Sequence, residues 1–375
     1  MRSFETQSNG FSSRKNLLAN PLKRSEITAL ANKYKLPPED VMLIALNSRG
    51  IRSDLPYKRI RFKLKLNGSE KEFYFGLPAR ETSEFYLSSK HGELIIDGAR
   101  IGTVREAEED TCDSIYLRRA NTVLNLNSNS RSRCKGCKFC FDAQTPNDRK
   151  QIRTAEDIQR FFENFISHSC KTDLSHLFQI AIVTGCFSSE NALVEHLFLI
   201  DEVSRKYNFK GELLYLGSQL TSYTTLEKIR KSINNFVFIL SLECFERREV
   251  LLRKTKTVID IEKIKELLSH SLRLGFGTSV SYIVGLDRLE IMTSGFASLK
   301  NYFNRFPILN IYQPHVQKQE TLLTDEARDL EYFLKARLAF EQLFLDSGLR
   351  PRSWENYRPL WYFKFASEDM DGITI

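Results

Sequence analysis

The chain has 375 residues, of which 55 are Lys or Arg and 47 are Asp or Glu, so its formal net charge is +8. A hydrophobic content of 42% excludes a disordered or collagen-like chain. No run approaches the roughly 18 apolar residues that cross a membrane, and the first twenty residues lack the apolar core of a signal peptide. We therefore expect no membrane segment. Seven cysteines without an export signal favour the reducing cytoplasm.

The first third of the chain mixes helical and strand-like patterns. Helical periodicity occurs at residues 25–34 and 38–47, and strand-like alternation occurs at residues 58–66, 71–75 and 93–97. Asn67-Gly68 predicts a hairpin turn between the first two strands. An acidic run at residues 106–110 completes the region. Residues 25–112 are thus predicted to form a small α+β appendage, preceded by a loose tail at residues 1–24.

Strand and helix patterns then alternate six times. The predicted strands comprise residues 122–127, 178–184, 212–216, 236–243, 278–284 and 308–312. The first predicted helix is capped at Thr154, and the later ones comprise residues 191–206, 225–233, 259–274, 294–303 and 325–345. Such alternation is typical of a parallel sheet covered by helices, with chemistry at the C-terminal ends of the strands.

These patterns predict an α/β fold built on a partial (β/α)6 TIM-like barrel at residues 113–315. The barrel is flanked by the appendage and by a C-terminal helix with an aromatic-basic tail, residues 316–375. Aromatic and basic residues interleaved in this way are able to stack on nucleic-acid bases. The two prolines in the tail favour a segment packed against the barrel as a cover.

Positive charge and cysteines concentrate in the short segment 111–150. It has 8 basic and 3 acidic side chains, and it contains four of the seven cysteines, Cys112, Cys134, Cys137 and Cys140. A solvated loop and a nucleic-acid-binding patch are two interpretations of this basic cluster. A third is that the charge compensates metal-bound thiolates and attracts an acidic electron donor or an anionic substrate.

Cys134, Cys137 and Cys140 are each separated by two residues and follow the first strand of the alternating array. A structural zinc site normally has four ligands, and the additional candidates, Cys112 and His168, are poorly spaced. Three thiolates fit a 4Fe-4S cluster that leaves one iron open. A loop of loosely metal-binding thiols is the other interpretation, but thiols this dense are seldom left without a ligand.

The three cysteines, the aromatic Phe139 before the last of them, and their place after the first strand resemble the radical S-adenosylmethionine (radical SAM) superfamily over about residues 115–315. In that family three cysteines bind three irons, and S-adenosylmethionine chelates the fourth through its amino and carboxylate groups. One electron splits the sulfonium into methionine and a 5'-deoxyadenosyl radical, which abstracts hydrogen. The family usually has three residues between the first two cysteines, whereas this chain has two, Lys135 and Gly136. Gly136 gives the shorter loop freedom to bend.

The resemblance also implies cofactor-binding residues at strand ends. Thr184 and Gly185 stand where the family has a Gly-Gly-Glu-like turn for the methionine amino group. Glu243 is expected to bind the ribose or amino group, and Arg253 the methionine carboxylate, unless Arg253 forms a surface ion pair. The set implied to bind the cofactor comprises Phe139, Phe141, Thr184, Gly185, Cys186, Ser218, Glu243, Arg253, Lys254, Ile283 and Gly285.

Strand ends that the cofactor leaves unused are expected to face the substrate. The candidates there are Asn125, Asn127, Tyr215, Ser218, Gln219, Gln313 and His315. Tyr215, Gln313 and His315 are the candidates for catalysis. His315 is able to transfer a proton, but a single histidine is more often only hydrogen-bonded, so no base is assigned.

The chain contains neither a second Cys-x-x-Cys group after the barrel nor an Asp-x-His-x-x-Gly motif. We therefore expect no auxiliary cluster and no cobalamin domain. The prediction is a single-cluster radical SAM enzyme that acts on a small-molecule or natural-product substrate and takes electrons from an acidic donor such as flavodoxin or ferredoxin. Two alternatives stay open: a radical SAM enzyme that modifies RNA or a peptide, and a non-enzymatic iron-sulfur or zinc protein that binds nucleic acid.

Overall fold

The computed structural model describes residues 22–110, 116–128, 137–140 and 152–370. Cys134 and Phe141, two of the predicted site residues, lie outside the described ranges. The described chain has a mixed α/β fold with two large sheets. None of the helices in these ranges is both long enough and apolar enough to cross a bilayer.

The N-terminal part has two helices and a six-stranded sheet. Its elements are α1 (Arg24–Tyr34), α2 (Pro38–Arg49), β1 (Arg52–Ser53), β2 (Arg59–Leu66), β3 (Glu72–Pro78), β4 (Tyr86–Ser88), β5 (Glu93–Ile96) and β6 (Ala99–Glu109). The strand order is β1-β4-β5-β6-β2-β3, and neighbouring strands are antiparallel except for β1 and β4. The two predicted helices and three predicted strands are confirmed.

The acidic run at the end of this region is part of a strand, which the sequence pattern did not predict. It forms the second half of β6, where Glu106 and Glu108 pair with Lys63 and Arg61 of β2 at 2.8 and 2.6 Å. Opposite charges on neighbouring strands stabilise the pairing, so an acidic stretch that is weak in strand propensity on its own is held in the sheet.

The second sheet has seven strands. They are β7 (Tyr116–Arg118), β8 (Val123–Leu126), β9 (Gln179–Val183), β10 (Glu212–Gly217), β11 (Phe236–Glu243), β12 (Gly277–Val284) and β13 (Ile308–Ile311). Strands β8 to β13 are parallel and lie side by side in chain order. β7 is antiparallel to β8 at one edge and was not predicted.

Helices follow the parallel strands and cover the sheet. They are α3 (Ala155–His168), α4 (Glu190–Lys206), α5 (Tyr223–Ser232), α6 (Arg248–Leu251), α7 (Lys254–Thr257), α8 (Ile261–Arg273), α9 (Leu289–Leu299), α10 (Gln317–Glu320) and α11 (Leu330–Phe344). The predicted cap of α3 is confirmed, because the Thr154 hydroxyl accepts a hydrogen bond from the Asp157 N–H at 3.1 Å. The last helix begins later than predicted, because Asp329 caps it by accepting from the Glu331 N–H at 3.0 Å.

The C-terminal segment, residues 347–370, includes the short strands β14 (Lys364–Phe365) and β15 (Glu368–Asp369) and runs along β13. The side-chain oxygen of Asn310 accepts from the N–H groups of Tyr357 and Arg358 at 2.7 and 2.9 Å. The Ile311 N–H donates to the Arg358 carbonyl at 2.9 Å. These bonds occupy the edge of β13, which would otherwise present unpaired backbone groups.

Asn356 in this segment links the two edges of the seven-stranded sheet. Its carbonyl accepts from Arg118 of β7 at 2.9 Å, and its side-chain oxygen accepts from the Leu309 N–H of β13 at 2.7 Å. The first and last strands of the sheet are therefore bridged by one residue, and the C-terminal segment forms part of the wall at the sheet's open side.

A buried ionic group fixes the C-terminal segment to helices α2 and α11. Arg337 of α11 and Asp40 of α2 are both fully buried and lie 3.0 Å apart. The Asp40 carboxylate also accepts from the N–H groups of Tyr362 and Phe363 at 2.8 and 3.1 Å. Because every buried charge here has partners, the group holds three distant parts of the chain in one arrangement.

Candidate functional site

A cavity of about 300 Å³ opens at the C-terminal ends of the parallel strands. The ends of β8, β9, β10, β11, β12 and β13 contribute to its wall, together with residues 139–140, Arg59 of β2, strand β7 and the C-terminal segment. Ligands of parallel α/β proteins bind at this end of the sheet, because the connecting loops there converge on one side.

The described part of the cysteine motif lies at this cavity. Phe139 and Cys140 line it, and Cys137 is buried beside them. The Cys140 N–H donates to the Cys137 carbonyl at 3.2 Å, so the two cysteines are joined by one tight turn. Within the described ranges no three His, Cys, Asp or Glu side chains are grouped to hold a metal ion. Because Cys134 lies outside those ranges, the three-cysteine ligand set stays a prediction.

The turn between the two cysteines is held by neighbouring segments. The Lys138 N–H donates to the Leu251 carbonyl of α6 at 2.9 Å, and the Gln319 side chain of α10 donates to the Lys138 carbonyl at 3.0 Å. Both contacts use the backbone, which leaves the Lys138 side chain exposed to solvent. The sequence predicts that positive charge near the cysteines compensates the negative charge of metal-bound thiolates. The Lys138 ammonium on this turn is consistent with that prediction.

Glu243, the last residue of β11, places its carboxylate at the cavity. Its backbone has a φ of 69°, and the strand pairing with β12 shifts register between Ser241 and Glu243. The Lys256 ammonium donates to the carboxylate at 2.5 Å, with both side chains nearly buried. Glu243 is thereby held as a charged acceptor beside the cavity.

The basic residues predicted to act with Glu243 lie elsewhere. Arg253 and Lys254 line a second, more open cavity of about 830 Å³, which Cys186 and Ser218 also line. The reason is local, because β11 is followed by two short helices, α6 and α7, that redirect the chain. Lys256, further along α7, is the cation that contacts Glu243.

Thr184 and Gly185 stand at the end of β9, near the rim of the first cavity. The Thr184 hydroxyl donates to the side-chain oxygen of Asn127 at 2.9 Å, and Asn127 lines the first cavity. The predicted cofactor residues are thus dispersed. Those at the first cavity are Phe139, Glu243 and Ile283, those at the second are Cys186, Ser218, Arg253 and Lys254, and those that line neither are Thr184, Gly185 and Gly285.

Gly285 follows β12 and has a structural role. Its φ of 115° is accessible mainly to glycine, and a Cβ there would lie 3.3 Å from side-chain atoms of Leu323 and Tyr312. Its carbonyl accepts from the Thr324 N–H at 3.0 Å. The residue shapes the turn, whereas Ile283 provides the apolar surface at the cavity.

The predicted substrate-facing residues also divide. Asn125, Asn127, Gln313 and His315 line the first cavity, whereas Ser218 and Gln219 line the second. Tyr215 lines neither of these cavities. It is buried within the sheet layer and stacks on Phe238 with ring centroids 6.3 Å apart, and this burial raises the pKa of its phenol.

Gln313 is fully buried and joins the appendage to the C-terminal segment. Its side-chain oxygen accepts from Arg59 and from Arg358, each at 3.3 Å, and its amide donates to the Asn47 carbonyl at 2.9 Å. With these bonds in place, Gln313 positions the two guanidinium groups and is poorly suited to proton transfer.

His315 lies among cationic groups. Its Nδ1 is 3.2 Å from Arg59, and burial together with the charges of Arg59, Arg358 and Arg80 lowers the pKa of its imidazole far below the usual range. The imidazole is therefore neutral at physiological pH and accepts a hydrogen bond from a guanidinium. It is a poor candidate for a general acid.

The cationic wall of the cavity was missed by the sequence analysis. Arg59, Arg118 and Arg358 line it, and they come from β2, β7 and the C-terminal segment. Arg59 is bonded to Asp110 at 2.7 Å with both side chains buried. No local sequence pattern indicates that residues so far apart in the chain will meet at one cavity. For Arg358 alone, the aromatic-basic composition of the tail indicated a segment packed against the barrel.

Comparisons with known proteins do not assign a family to this chain. No family model and no curated protein matches the chain. The crystal structure of Streptococcus suis SuiB bound to S-adenosylmethionine matches 54% of this chain and 44% of that chain, with 15% sequence identity and a TM-score of 0.36. This chain thus spans less than half the length of the SuiB chain. A likeness of this size establishes neither a shared fold nor a shared function.

Proposed function

We propose that this chain is a radical SAM enzyme in which Cys134, Cys137 and Cys140 bind a 4Fe-4S cluster at the mouth of a partial (β/α)6 barrel formed by β8 to β13. The observation that carries the proposal is the position of residues 139–140 at a cavity where parallel strands end in chain order. Chemistry in such folds is located at this end of the strands.

The residues present fit the implied groups. Cys137 and Cys140 are two thiol ligands on one turn, and Phe139 between them is buried, which suits an iron-sulfur cluster shielded from water. The cavity next to them has a carboxylate, Glu243, and an apolar surface at Ile283. A cofactor with hydroxyl and amino donors and an aromatic base matches these surfaces.

When bound, the cluster and S-adenosylmethionine supply one-electron cleavage of the sulfonium, which provides a 5'-deoxyadenosyl radical for hydrogen abstraction. The protein's own contributions are binding and exclusion of water. Glu243, held by Lys256, accepts hydrogen bonds from ribose hydroxyls or the methionine amino group. Phe139 keeps water from the cluster side, and Ile283 packs against adenine.

The wider context of the enzyme is also part of the proposal. We expect a cytoplasmic location, because closely spaced cysteines persist as thiols in a reducing compartment. The basic segment 111–150 favours an acidic electron donor such as flavodoxin or ferredoxin. A cavity of about 300 Å³ is in the size range of small-molecule sites, which favours a small-molecule substrate over a macromolecule.

The test is to reconstitute the protein anaerobically with iron and sulfide and to measure iron, sulfide and the low-temperature EPR spectrum after reduction. We expect about four irons per chain and a 4Fe-4S signal. Cys140→Ala should lose the intact cluster, whereas Cys170→Ala, at an exposed cysteine outside the motif, should keep it. Equal cluster content in the two variants would refute the ligand assignment.

A further inference from the structure

Two buried polar residues of the strand pair β7 and β8 contribute to the cavity wall. Asn125 of β8 lies opposite Tyr116 of β7, and Arg118, two residues further along β7, shares the face of Tyr116. Asn125 is 9% and Arg118 is 4% exposed, and both line the cavity. Within the described ranges, Nδ2 of Asn125 and Nε of Arg118 have no hydrogen-bond acceptor.

The Arg118 guanidinium is fixed before any ligand binds. One of its terminal nitrogens donates to the carbonyls of Trp354 and Asn356, each at 2.9 Å. The guanidinium carbon also lies 5.1 Å and 4.9 Å from the ring centroids of Tyr116 and Tyr357. A cation held in this way loses little conformational freedom when it binds an acceptor.

Two more guanidinium groups line the same cavity. Arg59 and Arg358 each approach the side-chain oxygen of Gln313 to 3.3 Å, so they converge from the appendage and from the C-terminal segment on one small region. Planar guanidinium forks match the paired oxygens of carboxylates and phosphates. Buried amide and guanidinium donors at one wall therefore favour a ligand that is rich in anionic oxygen.

We propose that the substrate of this cavity carries an anionic oxygen group, a carboxylate or a phosphate, which binds Nδ2 of Asn125 and the guanidinium groups of Arg118 and Arg358. The anion site itself is inferred from the residues of the cavity wall. Only the statement that the bound anion is a substrate rests on the proposed function. Glu243 and Ile283 lie on β11 and β12, away from β7 and β8 in the strand order, and are left to the cofactor.

The experiment titrates the reconstituted full-length protein by calorimetry at constant ionic strength, with and without saturating S-adenosylmethionine. The probes are succinate, pyrophosphate and the uncharged succinamide. We expect succinate or pyrophosphate to bind and succinamide not to bind, and the anion that binds identifies the group as a carboxylate or a phosphate.

Asn125→Asp is the most informative variant, because it nearly preserves shape while replacing the donor with a negative charge. We expect it to weaken anion binding by about tenfold or more. Its control is Asn235→Asp, the same change at an exposed residue whose amide donates to the Lys210 carbonyl. This control should bind within about twofold of the unmodified protein.

Arg358→Gln provides a second test at a half-buried residue, with Arg350→Gln as its control. Arg350 lies in the same C-terminal segment, pairs with Glu368 and does not line this cavity. Arg358→Gln should weaken anion binding by about tenfold or more, while Arg350→Gln should leave it within about twofold.

Three results would overturn the inference: no anion binding above that of succinamide, undiminished binding in Asn125→Asp and Arg358→Gln, or displacement of the anion by S-adenosylmethionine. The last result would assign these donors to the cofactor's own carboxylate. A protein that binds the anion through these residues but forms no cluster would refute the proposed function alone. A protein that forms 5'-deoxyadenosine but binds no anion would refute this inference alone.

Discussion

His196 is a buried histidine that makes stability depend on pH. Burial lowers the pKa of its imidazole to about 4, with a smaller effect from the charge of Arg153, and the Ser128 hydroxyl lies 2.6 Å from its Nε2. In the unfolded chain a histidine has a pKa near 6.5. Between these two values the unfolded chain binds a proton that the folded chain does not, so stability falls as pH falls.

We predict that His196→Gln reduces this loss of stability, because glutamine keeps a hydrogen-bonding group but binds no proton. The loss attributable to His196 approaches about 1.4 kcal/mol per pH unit below about pH 6 and levels off near the folded pKa of about 4. Urea unfolding at pH 7.5 and pH 5 in both proteins measures the difference. An identical pH dependence in both would contradict the assignment.

Glu243 is the residue on which the proposed cofactor site depends most. Glu243→Gln should weaken binding of S-adenosylmethionine by about tenfold, because it removes a charge-assisted acceptor. Glu246→Gln is the matched control, since Glu246 pairs at 2.9 Å with Arg288 outside the cavity wall. Equilibrium dialysis with labelled cofactor measures both, and equal affinities would remove Glu243 from the site.

At the level of single residues, the sequence located those whose position depends on a local feature. Cys140 is the last cysteine of a short motif, and Glu243 is the last residue of a strongly apolar strand. Both line the cavity. Arg253 lines the second cavity because two short helices redirect the chain after β11, and its role toward the cofactor stays a prediction. Arg59 and Arg118 were missed because their roles depend on contacts between distant segments.

At the level of elements, helices and central strands were predictable where apolar periodicity and capping residues agree. α3 shows this agreement, with Thr154 as its cap and Ile158 and Phe162 buried on one face. β6 and β7 were harder, because cross-strand pairing stabilises them and no strong pattern of their own marks them. The start of α11 depends on the cap at Asp329, which periodicity does not reveal.

The buried pair of Asp40 and Arg337, which joins α2, α11 and the C-terminal segment, is expected to contribute to stability. Asp40→Asn should lower the free energy of unfolding by about 2 kcal/mol, because it removes one of the two buried carboxylates that pair with Arg337, the other being Glu341 at 2.9 Å. Glu39→Gln, at the exposed neighbouring position, should change it by less than about 0.5 kcal/mol. Urea unfolding at pH 7 measures both. A similar small change in the two variants would show that the group contributes little to stability.

At the scale of the whole molecule, the cavity is composite. Arg59 comes from the N-terminal sheet, Asn125 from the parallel sheet, and Arg358 from the C-terminal segment. Asn356 joins β7 to β13 and so fixes the two edges between which the cavity lies. The chain order of the strands was predictable from their pattern. The bridge between β7 and β13 was not, because it depends on bonds from the Arg118 side chain to backbone carbonyls more than 200 positions away in sequence.

Formation of 5'-deoxyadenosine from S-adenosylmethionine is the reaction that defines the proposed radical SAM activity. The protein is reconstituted with iron and sulfide under anaerobic conditions and reduced, and the product is quantified beside Cys137→Ala and the control Cys170→Ala. We expect product in the unmodified protein and in Cys170→Ala, and none above background in Cys137→Ala. A folded, cluster-loaded protein that makes no 5'-deoxyadenosine with several reductants would contradict the proposed activity and would favour the nucleic-acid-binding alternative.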